Sequence, residues 1–268
     1  MHKTIKIIGR ILGTVLLLYL IVSIVFYVFQ KHFIFQSESL PKDYAFTFDQ
    51  KFEEYSIPTH DGETLNALLF KAPQPRLPDG QASKGLILYF HGNAGNLQRW
   101  GQYAIDFTSL GYDILITDYR GYGKSTGTPD EHDFYKDAQT VLRWSQVNIK
   151  HERLIIYGRS LGSAVASNLA TNENPDLLIL ETPLDELQSV LYFLPARYDF
   201  SNTTNLPNVK CATVIIHGTD DEVVPLSSAL RLKPLLKEND QLVIIEGGSH
   251  NDLRKFEKYH RTLAEVLD

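Results

Sequence analysis

The chain has 268 residues, 43% hydrophobic and 22% charged, which suits one large α/β domain of an ordinary globular kind. Its formal net charge is −6, but the first 37 residues hold four basic and no acidic side chains, so the remainder carries 22 basic against 32 acidic, a net of −10. A part that acidic excludes an electrostatic footprint for nucleic acid, and a single cysteine, Cys211, excludes an internal disulfide.

Residues 11–29 form an uncharged run of nineteen, dominated by Leu, Ile, Val and aromatic side chains. As a helix it would extend about 28 Å, close to the hydrocarbon thickness of about 30 Å, which predicts a single membrane span over 11–30. A cleaved signal peptide fits less well, because the run is long for one and no A-x-A-like site follows. Lys3, Lys6 and Arg10 precede the span, and Lys31 and Lys42 follow it. Three against two places the amino terminus on the cytoplasmic side and the rest of the chain on the far side. This divides the chain into a basic flank (1–10), a signal-anchor helix (11–30), a connector (31–49) and a folded domain (50–268). The connector is rich in aromatics, and the alternation of Tyr44, Phe46 and Phe48 fits an edge strand or an interfacial belt. Packing of these rings on the domain is the reading adopted.

Eight strands are predicted, at 52–57, 65–71, 86–90, 114–118, 154–157, 177–180, 213–216 and 242–246. The first two flank Thr59-His60-Asp61-Gly62, whose Asp-Gly predicts a hairpin. The next connection, 72–84, holds Pro73, Pro75, Pro78 and Gly80 and reads as an exposed loop. From there apolar strands alternate with helical patterns at 97–110, 133–147, 163–171, 226–237 and 251–267. That order predicts a mostly parallel sheet with helices on both faces. After 177–180 about thirty residues lack a clear strand, and 184–194 is helical in pattern. A small cap over 184–208 is therefore expected, with Leu187, Leu191, Tyr192, Phe193 and Leu194 shaping an acyl pocket.

In such sheets ligands gather at the carboxyl ends of the strands. The run 154–157 leads into Gly158-Arg159-Ser160-Leu161-Gly162, the G-x-S-x-G spacing of a nucleophile elbow. A serine on so tight a strand-to-helix turn adopts a strained backbone, and side chains two positions either side would collide, which demands glycine at both. The run 86–90 leads into His91-Gly92-Asn93-Ala94-Gly95-Asn96, a small-residue loop whose Asn93 N–H would join the Leu161 N–H as an oxyanion hole. The loop from Asp118 to Thr126 ends in Gly-Lys-Ser but fails as a phosphate loop, since Asp118 stands where glycine is required; it reads as a brace for the site. The run 213–216 leads into His217-Gly218-Thr219-Asp220-Asp221-Glu222, where an acid can orient a histidine, and spacing does not choose among Asp220, Asp221 and Glu222. The last strand leads into Gly247-Gly248-Ser249-His250. His91, His217 and His250 lack metal-ligand spacing, so neither a metal nor another cofactor is expected.

Ser160, an acid near 221 and then His250 is the chain order that accompanies the elbow. With these residues the chain resembles α/β-hydrolases over roughly 50–268, and more narrowly the membrane-anchored bud-emergence-type hydrolases and their animal abhydrolase-domain relatives. The carrying stretches are 91–96, 118–125, 158–162 and the H-G-x-x-D-x-x-V-P pattern at 217–225. The resemblance implies an eight-stranded α/β-hydrolase fold with a reduced cap. It selects Asp221 as the acid and implies serine hydrolase activity; an ester or thioester of a small molecule or lipid is the expected substrate, and the membrane tether with an apolar pocket makes an acylated protein a further option. Peptidase or amidase activity, and a non-catalytic lipid-binding or scaffold role, are the alternatives carried forward.

Overall fold

The computed structural model describes residues 2–73 and 83–268; most of the proline-rich connection expected at 72–84 lies outside them. The eight expected strands form one sheet: β1 (Phe52–Pro58), β2 (Thr64–Phe70), β3 (Leu86–Phe90), β4 (Asp113–Thr117), β5 (Leu154–Arg159), β6 (Leu177–Glu181), β7 (Ala212–Gly218) and β8 (Gln241–Ile245). Their order is β8-β7-β6-β5-β3-β4-β2-β1, parallel from β8 through β4 and antiparallel at β2 and β1. The β1–β2 hairpin turns where Asp-Gly stands, with Gly62 at φ +90° and Thr59 Oγ1 donating to Asp61 Oδ1 over 2.6 Å.

Alternation along each strand divides the core in two. In β3, Leu86, Leu88 and Phe90 join one apolar cluster while Ile87 and Tyr89 join the other. Helices α2 (Glu131–Asn148), α3 (Leu161–Asn172) and α4 (Leu226–Leu232) cover the first face through residues such as Phe134, Val165 and Leu232. The second is covered by the short turns within 97–108 and by α5 (Glu257–Val266), through Trp100, Phe107, Tyr259 and Leu263. The strands from β3 to β7 are thus buried on both sides, as continuous apolar runs require, while the edge strand β8 is half-buried.

Several helices are shorter than their patterns predict. The segment expected as one helix at 97–110 is three short pieces, bent around Phe48, whose ring lies 2.4 Å from where a Cβ on Gly101 would stand. The helix expected to 237 stops at Leu232 and continues as a 3₁₀ turn, because Pro234 lacks the N–H that an α-helix needs. In the connector, residues 44–48 form no strand; Phe46 is buried and stacks edge-on with Tyr44 and Phe52, so the rings pack on the domain.

The first helix, α1 (His2–Ile34), is longer than the predicted span and takes in the basic flank. It is long and apolar enough to cross a membrane, and among the described residues of α1 just Ser23, Gln30 and Ile34 are buried.

Candidate active site

Ser160 closes β5 and begins α3 with φ 53° and ψ −121°, a conformation that non-glycine residues rarely adopt and that turns its side chain away from the strand path. The glycines on either side are sterically obligatory. A Cβ on Gly158 would lie 2.4 Å from the Gly162 carbonyl oxygen, and one on Gly162 would lie 2.2 Å from that of Phe90. Ser160 N–H donates to the Glu181 carbonyl across the sheet at 2.9 Å, which holds the turn to β6.

The structure brings together the residues that the loops were expected to contribute. His250 Nε2 lies 3.1 Å from Ser160 Oγ, and His250 Nδ1 lies 2.8 Å from Asp221 Oδ2. A carboxylate can only accept, so the imidazole proton sits on Nδ1 and leaves Nε2 to accept from the serine hydroxyl. Asp221 is buried, and its other oxygen accepts the N–H groups of Val223 (2.9 Å) and Val224 (2.8 Å). Asp220 is exposed and accepts from Thr219 Oγ1 instead. His217, which also ends its strand, braces the acid loop: its Nε2–H donates to the Val224 carbonyl at 2.9 Å. Burial holds its pKa below the ordinary histidine value, so it stays neutral.

The small-residue loop after β3 is held at its carbonyls. Tyr119 Oη donates to His91 O and Tyr122 Oη to Asn93 O, each at 2.8 Å, so the loop from Asp118 braces the site as expected. Asp118 pairs with the buried His91 and accepts the Leu97 N–H. Leu161 N–H belongs to the first residue of α3, where a helix leaves N–H groups without internal acceptors. Asn93 also ties the site to the end of α1: its Nδ2 donates to Ile34 O at 2.8 Å, and Gln36–Ser37 pairs in parallel with Ala94–Gly95.

A cleft of about 340 Å³ opens at Ser160, lined among others by Gln36, Asn93, Arg99, Trp100, Val223 and His250. A larger groove of about 540 Å³ runs along β1 and β2, four and three strands from the elbow strand in the sheet order. None of the five apolar cap residues expected to shape an acyl pocket lines the cleft at Ser160. The cap helix is confined to Leu187–Leu191, because Tyr192 takes φ 54° and ends it, leaving Tyr192 and Phe193 exposed.

Sequence reasoning gave Arg159 no role. Its guanidinium is buried behind the elbow, where Nε lies 3.2 Å from Glu181 Oε1 and Nη2 donates to the His250 carbonyl at 2.6 Å and to Asn251 Oδ1 at 3.2 Å. Burial opposes its charge, but Glu181 and the nearby tyrosines outweigh that and raise its pKa. It therefore anchors the backbone that presents His250. The available signal was a charged residue ending an otherwise apolar strand, which needs a partner when buried. Arg159→Leu leaves the buried Glu181 carboxylate without its cation, held by the Tyr157 hydroxyl at Oε2, and is expected to cost about 3–5 kcal/mol in denaturant unfolding, with much of the loss restored by adding Glu181→Gln. An unchanged unfolding midpoint in Arg159→Leu would show that the pair carries no stability.

Comparison with known proteins identifies relatives and structural neighbours of the chain. The family model described as "Serine aminopeptidase, S33" matches residues 81–197. The chain is 32% identical over 194 residues to the α/β-hydrolase domain-containing protein aho-3 of Caenorhabditis elegans, covering 68% of this chain and 57% of that one. It is 34% identical over 181 residues to the lysophosphatidylserine lipase ABHD12 of Bos taurus, covering 56% of this chain and 45% of the lipase. The chain thus spans about half the length of these curated relatives. An uncharacterised protein of Mycobacterium tuberculosis is 32% identical over 206 residues, with 73% of this chain and 71% of that protein covered. In fold, the chain is similar to an esterase of Pyrococcus furiosus, with a TM-score of 0.68 at 16% identity over 86% of this chain and 96% of that one. A lidless serine hydrolase of Xanthomonas campestris has a TM-score of 0.60 at 20% identity over 84% and 94%. By its fold and its relatives, this chain belongs to the α/β-hydrolase superfamily.

Proposed function

We propose that this protein is a membrane-anchored serine hydrolase that cleaves carboxylic esters of lipids through an acyl-enzyme. The observation that carries the reading is the relay from Asp221 through His250 to Ser160, with contacts of 2.8 and 3.1 Å, at the edge of a cleft. His250 takes the proton of Ser160 as the hydroxyl oxygen attacks the ester carbonyl. The N–H groups of Asn93 and Leu161 receive the oxyanion of the tetrahedral intermediate. Its collapse breaks the bond to the leaving alcohol, which takes its proton from the imidazolium. Water then enters, gives a proton to His250 and releases the acyl group as a carboxylic acid by the same route. Asp221 holds the imidazole tautomer and stabilises its charged form.

Support for a lipid substrate comes from the lysophosphatidylserine lipase among the relatives and from Gln36, which lines the cleft two residues beyond the end of α1. With α1 as a span and its amino terminus cytoplasmic, the cleft stands at the membrane surface on the far side, within reach of lipid or of acylated protein. The description of the matching family model favours a second reading, an aminopeptidase or amidase with the same residues. The full chain in detergent, given p-nitrophenyl acyl esters, lysophospholipids, acyl thioesters and aminoacyl p-nitroanilides, separates the two. Turnover of the lipid esters is expected to exceed that of the anilides; the reverse order would replace the lipase reading with the peptidase one.

A further inference from the structure

The tip of the cap is built in a way that water does not require. Beyond Leu191 the chain turns at Tyr192 and continues as irregular backbone to Tyr198, with Tyr192 67% and Phe193 85% exposed. Four successive carbonyls of this loop are each met by a side chain. Gln188 Nε2 donates to Tyr192 O (3.1 Å) and Leu194 O (3.0 Å), Tyr19 Oη donates to Phe193 O (2.7 Å), and Gln30 Nε2 donates to Pro195 O (2.7 Å). The amide oxygens of the same two glutamines accept the N–H groups of Ala196 (2.9 Å) and Arg197 (2.7 Å). An exposed loop in water can leave its polar groups to solvent, whereas hydrocarbon supplies no partner and irregular backbone there must be satisfied from within.

We propose that the cap tip, Tyr192-Phe193, is immersed in the lipid bilayer beside α1, as a second point of membrane contact for the catalytic domain. The proposal rests on the reading of α1 as a membrane span. Two of the groups that satisfy the tip come from that helix. Tyr19 stands near the middle of the apolar run and Gln30 at its end, about 16 Å apart along the axis at 1.5 Å per residue, which is roughly half the hydrocarbon thickness. The tip therefore lies along the half of the span nearest the domain. Gln30 is fully buried between helix and cap, so this contact is a packed one. Lys31 and Arg197 flank the same level, where basic side chains meet lipid headgroups. Continuity with the apolar surface of α1, together with the satisfied backbone, makes the occupant a bilayer. Immersion of the tip holds the cleft against the surface from which a lipid would enter.

The test uses the full chain with Cys211→Ala, which removes the one native, buried thiol. Single cysteines are placed at Phe193, at Val22 in α1 and at Val147, labelled with bimane, and the protein is reconstituted into phosphatidylcholine vesicles carrying acyl-chain nitroxides. Val147 is 85% exposed and lies about 24 Å along α2 from Glu131, whose carboxylate accepts the N–H groups of Asp199 and Phe200 at the base of the cap. Quenching at Phe193 is expected to reach about half or more of that at Val22, with Val147 at about a tenth or less. Strong quenching at Val22 with Phe193 as low as Val147 overturns the proposal while leaving the span intact. Absence of quenching at Val22 overturns the span and the proposal with it. Low quenching at Phe193, with the unlabelled Phe193→Cys chain forming a disulfide-linked dimer on mild oxidation, assigns the tip to a chain–chain contact and also overturns it. If Cys211→Ala does not fold, the same labels are read with Cys211 retained and the signal of the chain without an added cysteine subtracted.

Discussion

Ser160→Ala is expected to lower kcat for p-nitrophenyl acyl esters by about 10⁶-fold and to abolish labelling by a fluorophosphonate. Among the described residues the side chain of Ser160 has one polar contact, to His250 Nε2, so its loss removes the nucleophile without opening a network that supports the fold. Alanine also carries the same Cβ through the turn, so the unfolding midpoint should stay near that of the native chain. A residual rate above water is expected from the N–H groups of Asn93 and Leu161, which the substitution leaves in place. Wild-type protein that neither labels nor turns over any acyl ester would sink the serine-hydrolase reading. Equal rates in wild type and Ser160→Ala would move the chemistry to another residue.

The second large effect separates two neighbouring acids. Asp221→Asn should reduce turnover by about 10⁴-fold. The N–H groups of Val223 and Val224 select an oxygen at the Oδ1 position, so the new amide NH₂ would face His250. Donor would then oppose donor at Nδ1, and the imidazole would shift to the tautomer with its proton on Nε2. In that form it cannot accept the proton of Ser160. Asp220→Asn changes an exposed group whose contact is with Thr219 and should alter turnover by less than about threefold. Steady-state kinetics on both variants decide the matter, and the opposite ranking would assign the acid to Asp220.

The strands were legible because six of the eight lie in parallel pairing and five of those, all but the edge strand β8, are buried on both faces, where continuous apolar runs leave little ambiguity. Helix ends were less so. Whether 97–110 runs straight depends on Phe48, a residue far away in sequence whose ring occupies the space above Gly101. The acyl pocket assigned to the cap was misplaced for a related reason: apolarity says that Tyr192 and Phe193 avoid water, and it does not say whether protein or lipid receives them.

By itself the sequence determined the sheet, the strained elbow at Ser160 and the order of serine, acid and histidine. Each of these is a local demand: glycine where a Cβ would collide, apolar runs where both faces are covered, a loop of small residues where N–H groups must converge. The acid was already indicated as Asp221 by the resemblance of residues 217–225; only the tertiary structure decided that Arg159 and Glu181 meet behind the elbow, that Gln36 reaches the cleft, and that Tyr19 and Gln30 satisfy the backbone of the cap. Those contacts join residues 22 to 174 positions apart. They are hydrogen bonds and ion pairs between single groups, which leave no periodic trace along the chain.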